Sequence, residues 1–423
     1  MSMIDRQQLK RLLPGPARRM IGLLRTQLNG PGLEYGVVRD YVFRPDPDPR
    51  PRINLILPNL SAAHAFGGVA TGLSFFEKLS EMLAEKGIER RILSEQEIAA
   101  NDDALAGRPT LRDCPRLSLR PNGDVLPTRA RDVFVVFNWW VSLNLEPVIA
   151  AQTAHFGTKR PPKLHLVQEY EPALHRFSAS HGLAHEMLDG TGTRLWVVLN
   201  TRELHDHYHA QGHAPERAYV FEPRMNAALR SFVDGIEPAE KARTLLVYGR
   251  PNVARNAFFL VQRSLEHWAR RHGGDHRDWR IVSAGLPHDD LVLGNGHRLV
   301  SLGKLSLSEY GQLLRKTSVG LSLMISPHPS YPPLEMAHFG ARVVTNGYAN
   351  KRPADRHENL IATPSLRPEA IAATLQAQIA GFEADPGAGL RAKSHMSDYL
   401  LEDRIDCLEA VAEDLVAEMA DRP

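Results

Sequence analysis

The chain has 423 residues, 43% of them hydrophobic and 24% charged, which fits two globular domains of roughly 200 residues each and excludes collagen, coiled-coil and disordered compositions. Its 51 basic and 49 acidic residues leave a net charge of +2, so no basic field marks it as a nucleic-acid binder. Two cysteines, Cys114 and Cys407, are too few for a disulfide scaffold or a thiolate zinc site, and the expectation is a reduced, cytoplasmic protein.

Residues 1–30 set Arg6, Lys10, Arg11, Arg18, Arg19 and Arg25 against Asp5 alone, with leucines between them. One reading is a basic amphipathic segment resting on the inner face of an anionic membrane. The other is a solvated helix packed on the body and interrupted by Pro14-Gly15-Pro16. No apolar run approaches the roughly 18 residues of a membrane span. Residues 44–52 alternate proline with charge, and read as an extended linker that cannot be helical. Residues 1–51 are therefore expected to be a basic segment and linker, with regular structure starting at Ile53.

Residues 53–58 form an apolar run of strand composition. A small-residue loop ending in Gly67-Gly68 follows. Leu73, Phe76, Leu79 and Leu83 then recur at helical spacing until Gly87, which opens a βαβ unit. The alternation continues. Residues 133–137 precede Asn138-Trp139-Trp140, residues 163–167 precede Gln168-Glu169-Tyr170-Glu171-Pro172, and residues 195–199 precede a helix over 202–211. After a break between Phe221 and Ala242 containing Pro223, Gly235 and Pro238, a second series begins. Residues 244–248 lead to Gly249-Arg250-Pro251 and a helix over 256–271; residues 279–283, 299–301, 319–325 and 341–344 are further strands. Continuous apolar strands, each followed by a polar or glycine loop, indicate parallel sheets covered on both faces. The expectation is an α/β protein with two doubly wound domains, over 52–225 and 240–395, and a C-terminal helix within 396–423.

In such sheets, ligands bind beyond the carboxyl ends of the strands. Gly67 and Gly68 precede a helix N-terminus suited to an anion, or form an ordinary turn; no G-x-G-x-x-G is present. Arg250 and Arg255 would clamp a diphosphate, or form surface ion pairs. Gly303 and Lys304 end another strand. Ser330 and Tyr331 begin a segment whose helix carries Glu335, either a ligand-side acid or a solvated one. Gln168, Glu169 and Glu171 are either ligand-edge residues or acids favouring a helix start. Trp139 and Trp140 would stack on a sugar face or cap the core. His205, His209 and His213 are four apart, a spacing that could bind a metal. No HExxH is present and the stretch is polar, so it reads as a solvated helix face and no metal site is expected.

With both domains laid out, the sequence resembles the GT-B glycosyltransferases, and within glycosyltransferase family 4 the WsaF-type rhamnosyltransferases. The resemblance runs from about Arg52 to the C-terminus. It rests on residues 52–60 with Phe66 to Thr71, on Phe137 to Trp140, on Val167 to Pro172, on Val247 to Pro251 with Arg255-Asn256, on Leu302 to Leu305, and on Ser326 to Ala337. It implies two Rossmann-like domains facing across a cleft, the N-terminal one holding the acceptor and the C-terminal one the nucleotide-sugar. Arg250 matches the arginine that contacts the donor diphosphate, and Arg255 lies near the second basic residue of that motif. Gly303-Lys304-Leu305 resembles the base-contacting loop. Glu335 matches the second, ribose-binding acid of the family's E-x7-E motif, but the first falls at Pro327, so its role has no counterpart at that position. Glu169 and Glu171 are the candidate catalytic acids. The implied reaction moves L-rhamnose from dTDP-L-rhamnose to a glycan or lipid-linked glycan of a bacterial surface polysaccharide, without a cofactor or metal. A sugar-nucleotide epimerase of the same fold, or a non-catalytic sugar-nucleotide or glycan-binding protein, are the alternatives.

Overall fold

A computed structural model describes residues 36–61, 68–98, 104–105, 107–190, 192–401 and 404–420. In the N-terminal half the chain runs β1 (Val42–Pro45), β2 (Arg52–Leu57), α1 (Gly68–Ala84), β3 (Glu89–Ser94), β4 (Arg116–Ser118), β5 (Val125–Thr128), β6 (Asp132–Val136), α2 (Trp139–Phe156), β7 (Lys163–Val167), α3 (Ala179–Asp189), β8 (Leu195–Asn200), α4 (Arg202–Ala210) and β9 (Arg217–Phe221). The C-terminal half adds β10 (Thr244–Gly249), α5 (Phe258–His272), β11 (Arg280–Gly285), β12 (Leu291–Gly294), β13 (His297–Gly303), α6 (Leu307–Lys316), β14 (Val319–Leu321), α7 (Tyr331–His338), β15 (Arg342–Asn346), β16 (Leu360–Thr363), α8 (Pro368–Ala384) and α9 (Leu408–Ala420).

Each half is a seven-stranded sheet: β4-β3-β2-β6-β7-β8-β9 in the first and β12-β13-β11-β10-β14-β15-β16 in the second. All pairings in the first are parallel; in the second only the edge strand β12 runs antiparallel. Every residue of β2, β6, β7 and β8 is buried, as expected where helices cover both faces. One face of the first sheet packs Ile53, Leu55, Val133 and Trp196 against Phe75, Phe76 and Leu79 of α1. On the other face, Ile56, Phe134 and Val136 meet Val141, Leu145 and Ile149 of α2. The strand order reverses between β2 and β6 in the first domain and between β10 and β14 in the second. The loops after those strands are where such sheets open a crevice for ligands.

Three elements differ from expectation. Regular structure starts at Val42, because β1 pairs in parallel with β5. The proline-charge segment after it is pinned by ions rather than free: Arg129 contacts Asp46 at 3.2 Å, Asp48 at 2.7 Å and Glu89 at 2.6 Å, and Arg52 grips Asp132 at 2.8 and 2.7 Å. Trp139 and Trp140 open helix α2 rather than lying in a loop. The strand expected over 319–325 ends at Leu321, where Asn346 draws the chain aside by accepting the Met324 N–H at 2.7 Å. The expected C-terminal helix, α9, packs on the N-terminal domain: Leu408, Val411, Ala412 and Leu415 join its core, and Tyr219 donates to Asp414 at 2.6 Å.

Candidate active site

The residues that close the site come from the loop after β7 in the N-terminal domain and from the loops after β10, β14 and β15 in the C-terminal one. Glu169 follows β7. One of its carboxylate oxygens accepts from the Ser326 hydroxyl, and the other lies 3.3 Å from the Arg255 guanidinium. Both partners belong to the C-terminal domain, so a carboxylate of one sheet is held by the loops of the other. Burial pushes the Glu169 carboxyl above its ordinary range, while Arg255, Ser326 and Lys351 pull it back. Lys351, 4% exposed, donates to the Met324 carbonyl at 2.6 Å. Burial lowers its pKa to about 8 against the opposing pull of Glu169 and Glu203.

Between these groups lies His328. Its Nδ1 accepts the Ser330 N–H at 3.0 Å, which places the proton of a neutral ring on Nε2. Burial, with Lys351, Arg356 and Arg255 nearby, lowers its pKa to about 3, so the ring is uncharged at neutral pH. Nε2 is buried and has no hydrogen-bond partner among the described residues. A buried donor left without an acceptor costs free energy. Ser330 itself takes a left-handed φ of 72°, a strained conformation for a residue with a side chain, and sets the start of α7. Tyr331, first in that helix, accepts from Asn200 of the N-terminal domain at 2.8 Å.

Glu335 lies one turn into α7. Burial raises its pKa to about 7, and the Tyr310 hydroxyl draws it partly back. Burial, with a smaller push from Glu335, raises the phenols of Tyr310 and Tyr248, and Arg250 at the end of β10 acts on Tyr248 in the opposite sense. Arg250, Tyr248, Tyr310 and Glu335 thus form one polar recess. Gly303, at the end of β13, has φ 64°, which any side chain would strain. Lys304 after it is exposed.

The other sequence candidates serve the scaffold. Glu171 accepts the Trp139 N–H at 2.8 Å and approaches His165 at 3.3 Å. It anchors the N-terminus of α2 within its own domain. Trp139 is 1% exposed and donates to His175 at 2.9 Å, so neither ring face is open to a sugar. Trp140 donates to Glu95 at 3.0 Å. Gln168 donates to the Gly68 carbonyl at 2.7 Å, tying the start of α1 to the β7 loop; a Cβ on Gly68 would sit 3.1 Å from the Gln168 amide oxygen. Gly67 lies outside the described residues, as does the basic segment. Asn200 and the Arg356–Glu203 pair had no signal in the sequence, since each acquires its partner only when the domains meet; Lys351, bonded within its own domain, had none either.

Two parallel sheets meeting through the loops at their carboxyl ends define the GT-B class of glycosyltransferases. The fold is shared with sucrose-phosphate synthase from Thermosynechococcus elongatus (TM-score 0.54, 14% identity, covering 88% of this chain and 98% of that one) and with TarM (TM-score 0.54, 7% identity, 87% and 98%). The models for the N- and C-terminal domains of WsaF match residues 52–109 with 117–202 and residues 243–376, together well over half of the chain, which therefore belongs to the WsaF family. It is 31% identical over 244 residues to the O-antigen biosynthesis protein RfbC of Myxococcus xanthus, a match that spans 57% of this chain but only 18% of that relative. Among the described residues no helix is long and apolar enough to cross a membrane.

Proposed function

We propose that this protein transfers a sugar, L-rhamnose from dTDP-L-rhamnose, onto a growing O-antigen-type surface polysaccharide. The observation that carries the reading is the meeting of Glu169 with Arg255 and Ser326 across the domain boundary, flanked by a buried lysine and a histidine with an unanswered donor. This is a site for an anion next to a carboxylate. Arg250 and Arg255 oppose the charge that develops on the leaving nucleoside diphosphate, and do so strongly because the site is desolvated. His328 donates from Nε2 to an oxygen of the donor. When the diphosphate takes Arg255, Glu169 is released. Its raised proton affinity then suits it to accept the proton of the acceptor hydroxyl. That oxygen forms the new bond to the anomeric carbon, and the bond to the diphosphate oxygen breaks with its electron pair. Glu335 accepts hydroxyls of the nucleotide ribose.

A thermal-shift panel of nucleotide-sugars tests the donor, because a ligand bound only by the folded state raises the melting temperature. The expected result is a rise with dTDP-L-rhamnose and with dTDP, and little with UDP- or GDP-sugars. Product analysis with an acceptor should show a new glycoside. Donor consumption without acceptor at the same rate would indicate an epimerase instead. The basic segment over residues 1–30 gives the enzyme a means of resting on the inner membrane face, where lipid-linked acceptors are found. Binding to anionic vesicles should fall as salt rises and vanish when the segment is deleted.

A further inference from the structure

Beside the β7 loop lies a cluster that the transfer reaction does not use. His185 and Asp189 are four apart on α3 and therefore share a face of that helix. His213, in the loop after α4, completes the group, and one ligand atom from each of the three lies within 4.8 Å of the other two. His185 Nδ1 is 3.3 Å from one Asp189 oxygen, and His213 Nδ1 contacts the other. The His213 side chain is fully buried, whereas those of His185 and Asp189 are 39% and 33% exposed, so the cluster is rigid at its base and open to solvent at its mouth. The second nitrogen of His213 is bonded to the Tyr170 hydroxyl at 3.1 Å, and its carbonyl is held by His209 at 3.0 Å. A histidine whose outer nitrogen is fixed by a hydrogen bond is the arrangement that orients an imidazole for a metal.

We propose that His185, Asp189 and His213 bind a divalent transition-metal ion of the zinc type, with solvent completing the shell. Two imidazoles and one carboxylate suit zinc, cobalt or nickel and not magnesium or calcium, which prefer all-oxygen shells. Without metal, the His213–Asp189 contact keeps the ring's single proton on Nδ1. A metal takes the Nδ1 lone pair and that proton moves to Nε2, where the Tyr170 hydroxyl accepts it, so the neutral imidazole binds with no proton lost. Because Tyr170 is bonded to Glu169 through the chain, an ion at this position stiffens the loop that carries the site's carboxylate. The histidines noticed in the sequence divide accordingly: His213 belongs to the cluster, His209 on α4 holds its carbonyl, and His205 pairs with His209, rings 4.5 Å apart.

The test is calorimetric titration of ZnCl2 into the full chain after treatment with a chelator. One equivalent of zinc bound is expected. His185→Ala, on the exposed side of α3, should weaken binding by more than about tenfold, and Tyr170→Phe should do so by about tenfold. His205→Ala should leave it unchanged. Absence of a binding heat, survival of binding in His185→Ala, or its loss in His205→Ala would overturn the site; the last would assign the zinc to the histidine pair on α4, and the first would leave His213 and Asp189 as a hydrogen-bonded dyad. His213→Ala removes a buried ring and is informative only beside a circular-dichroism spectrum matching wild type, which is why the half-exposed His185 decides the matter.

Discussion

At the scale of single residues, the carboxylates Glu169, Glu171 and Glu335 occupy three different environments. Glu171 is consumed by a helix N-terminus, Glu169 by the opposite domain, and Glu335 by a recess of phenols. Glu169→Gln keeps the size of the side chain and removes its charge. Turnover is expected to fall by about 10²–10⁴-fold, with the melting temperature changed little; a fall in stability matching the fall in rate would make Glu169 a domain contact only. Arg250→Ala should weaken dTDP binding by about 1.5–3 kcal/mol, the worth of one charged hydrogen bond, in a calorimetric titration. Glu335 gives a pH signature. Its folded pKa of about 7 lies above the unfolded value of 4.5, so the folded chain binds the extra proton between them. The stability that proton provides is full below about pH 4.5 and is lost as pH rises toward 7. In Glu335→Gln this loss is absent, so the variant should gain on wild type as pH is raised from 5 to 8 in urea unfolding curves, while its affinity for dTDP falls more than its affinity for pyrophosphate.

At the scale of elements, the apolar runs legible in the sequence are the central strands, where burial on both faces forces every position to be hydrophobic. The edges were not legible. β12 is only four residues long with one of them buried, and β1 is mostly exposed and held by a neighbour 83 residues away. The start of α2 was hidden because its cap lies at a distance: Glu171, not a neighbouring residue, receives the Trp139 N–H. The same division holds at the site. Arg250, Arg255 and Glu335 were legible because they follow strand ends in their own domain. Lys351 was not, because an exposed and a buried lysine look alike in a sequence, and the Glu169–Ser326 contact joins residues 157 apart. The ion lattice at the start of the first sheet is the most sensitive element contact. Asp132, wholly buried, holds Arg52 and lies 3.7 Å from Arg91. Asp132→Asn leaves buried guanidinium groups without their counter-charge and should cost about 3–5 kcal/mol, read as a lower urea midpoint at unchanged slope.

At the scale of the whole molecule, the domains are clasped on the side of α4. Arg356 of the C-terminal domain donates to Glu203 at 2.6 Å and to Glu222 at 2.7 Å, and Asn350 donates to the Glu203 carbonyl at 2.8 Å. Arg356→Ala should separate the unfolding of the two domains into two calorimetric transitions and enlarge the particle in small-angle scattering; a single transition at wild-type dimensions would show that the site contacts alone hold the halves together.

The return of α9 to the first domain also sets an order of events during synthesis. The face of α1 that it covers emerges from the ribosome early, and the helix that covers it emerges only after the entire second domain. Throughout that interval the nascent N-terminal domain carries a wet apolar strip, the kind of surface that recruits chaperones. A nascent chain arrested before residue 404 should retain such a chaperone, and one arrested with α9 outside the exit tunnel should let it go.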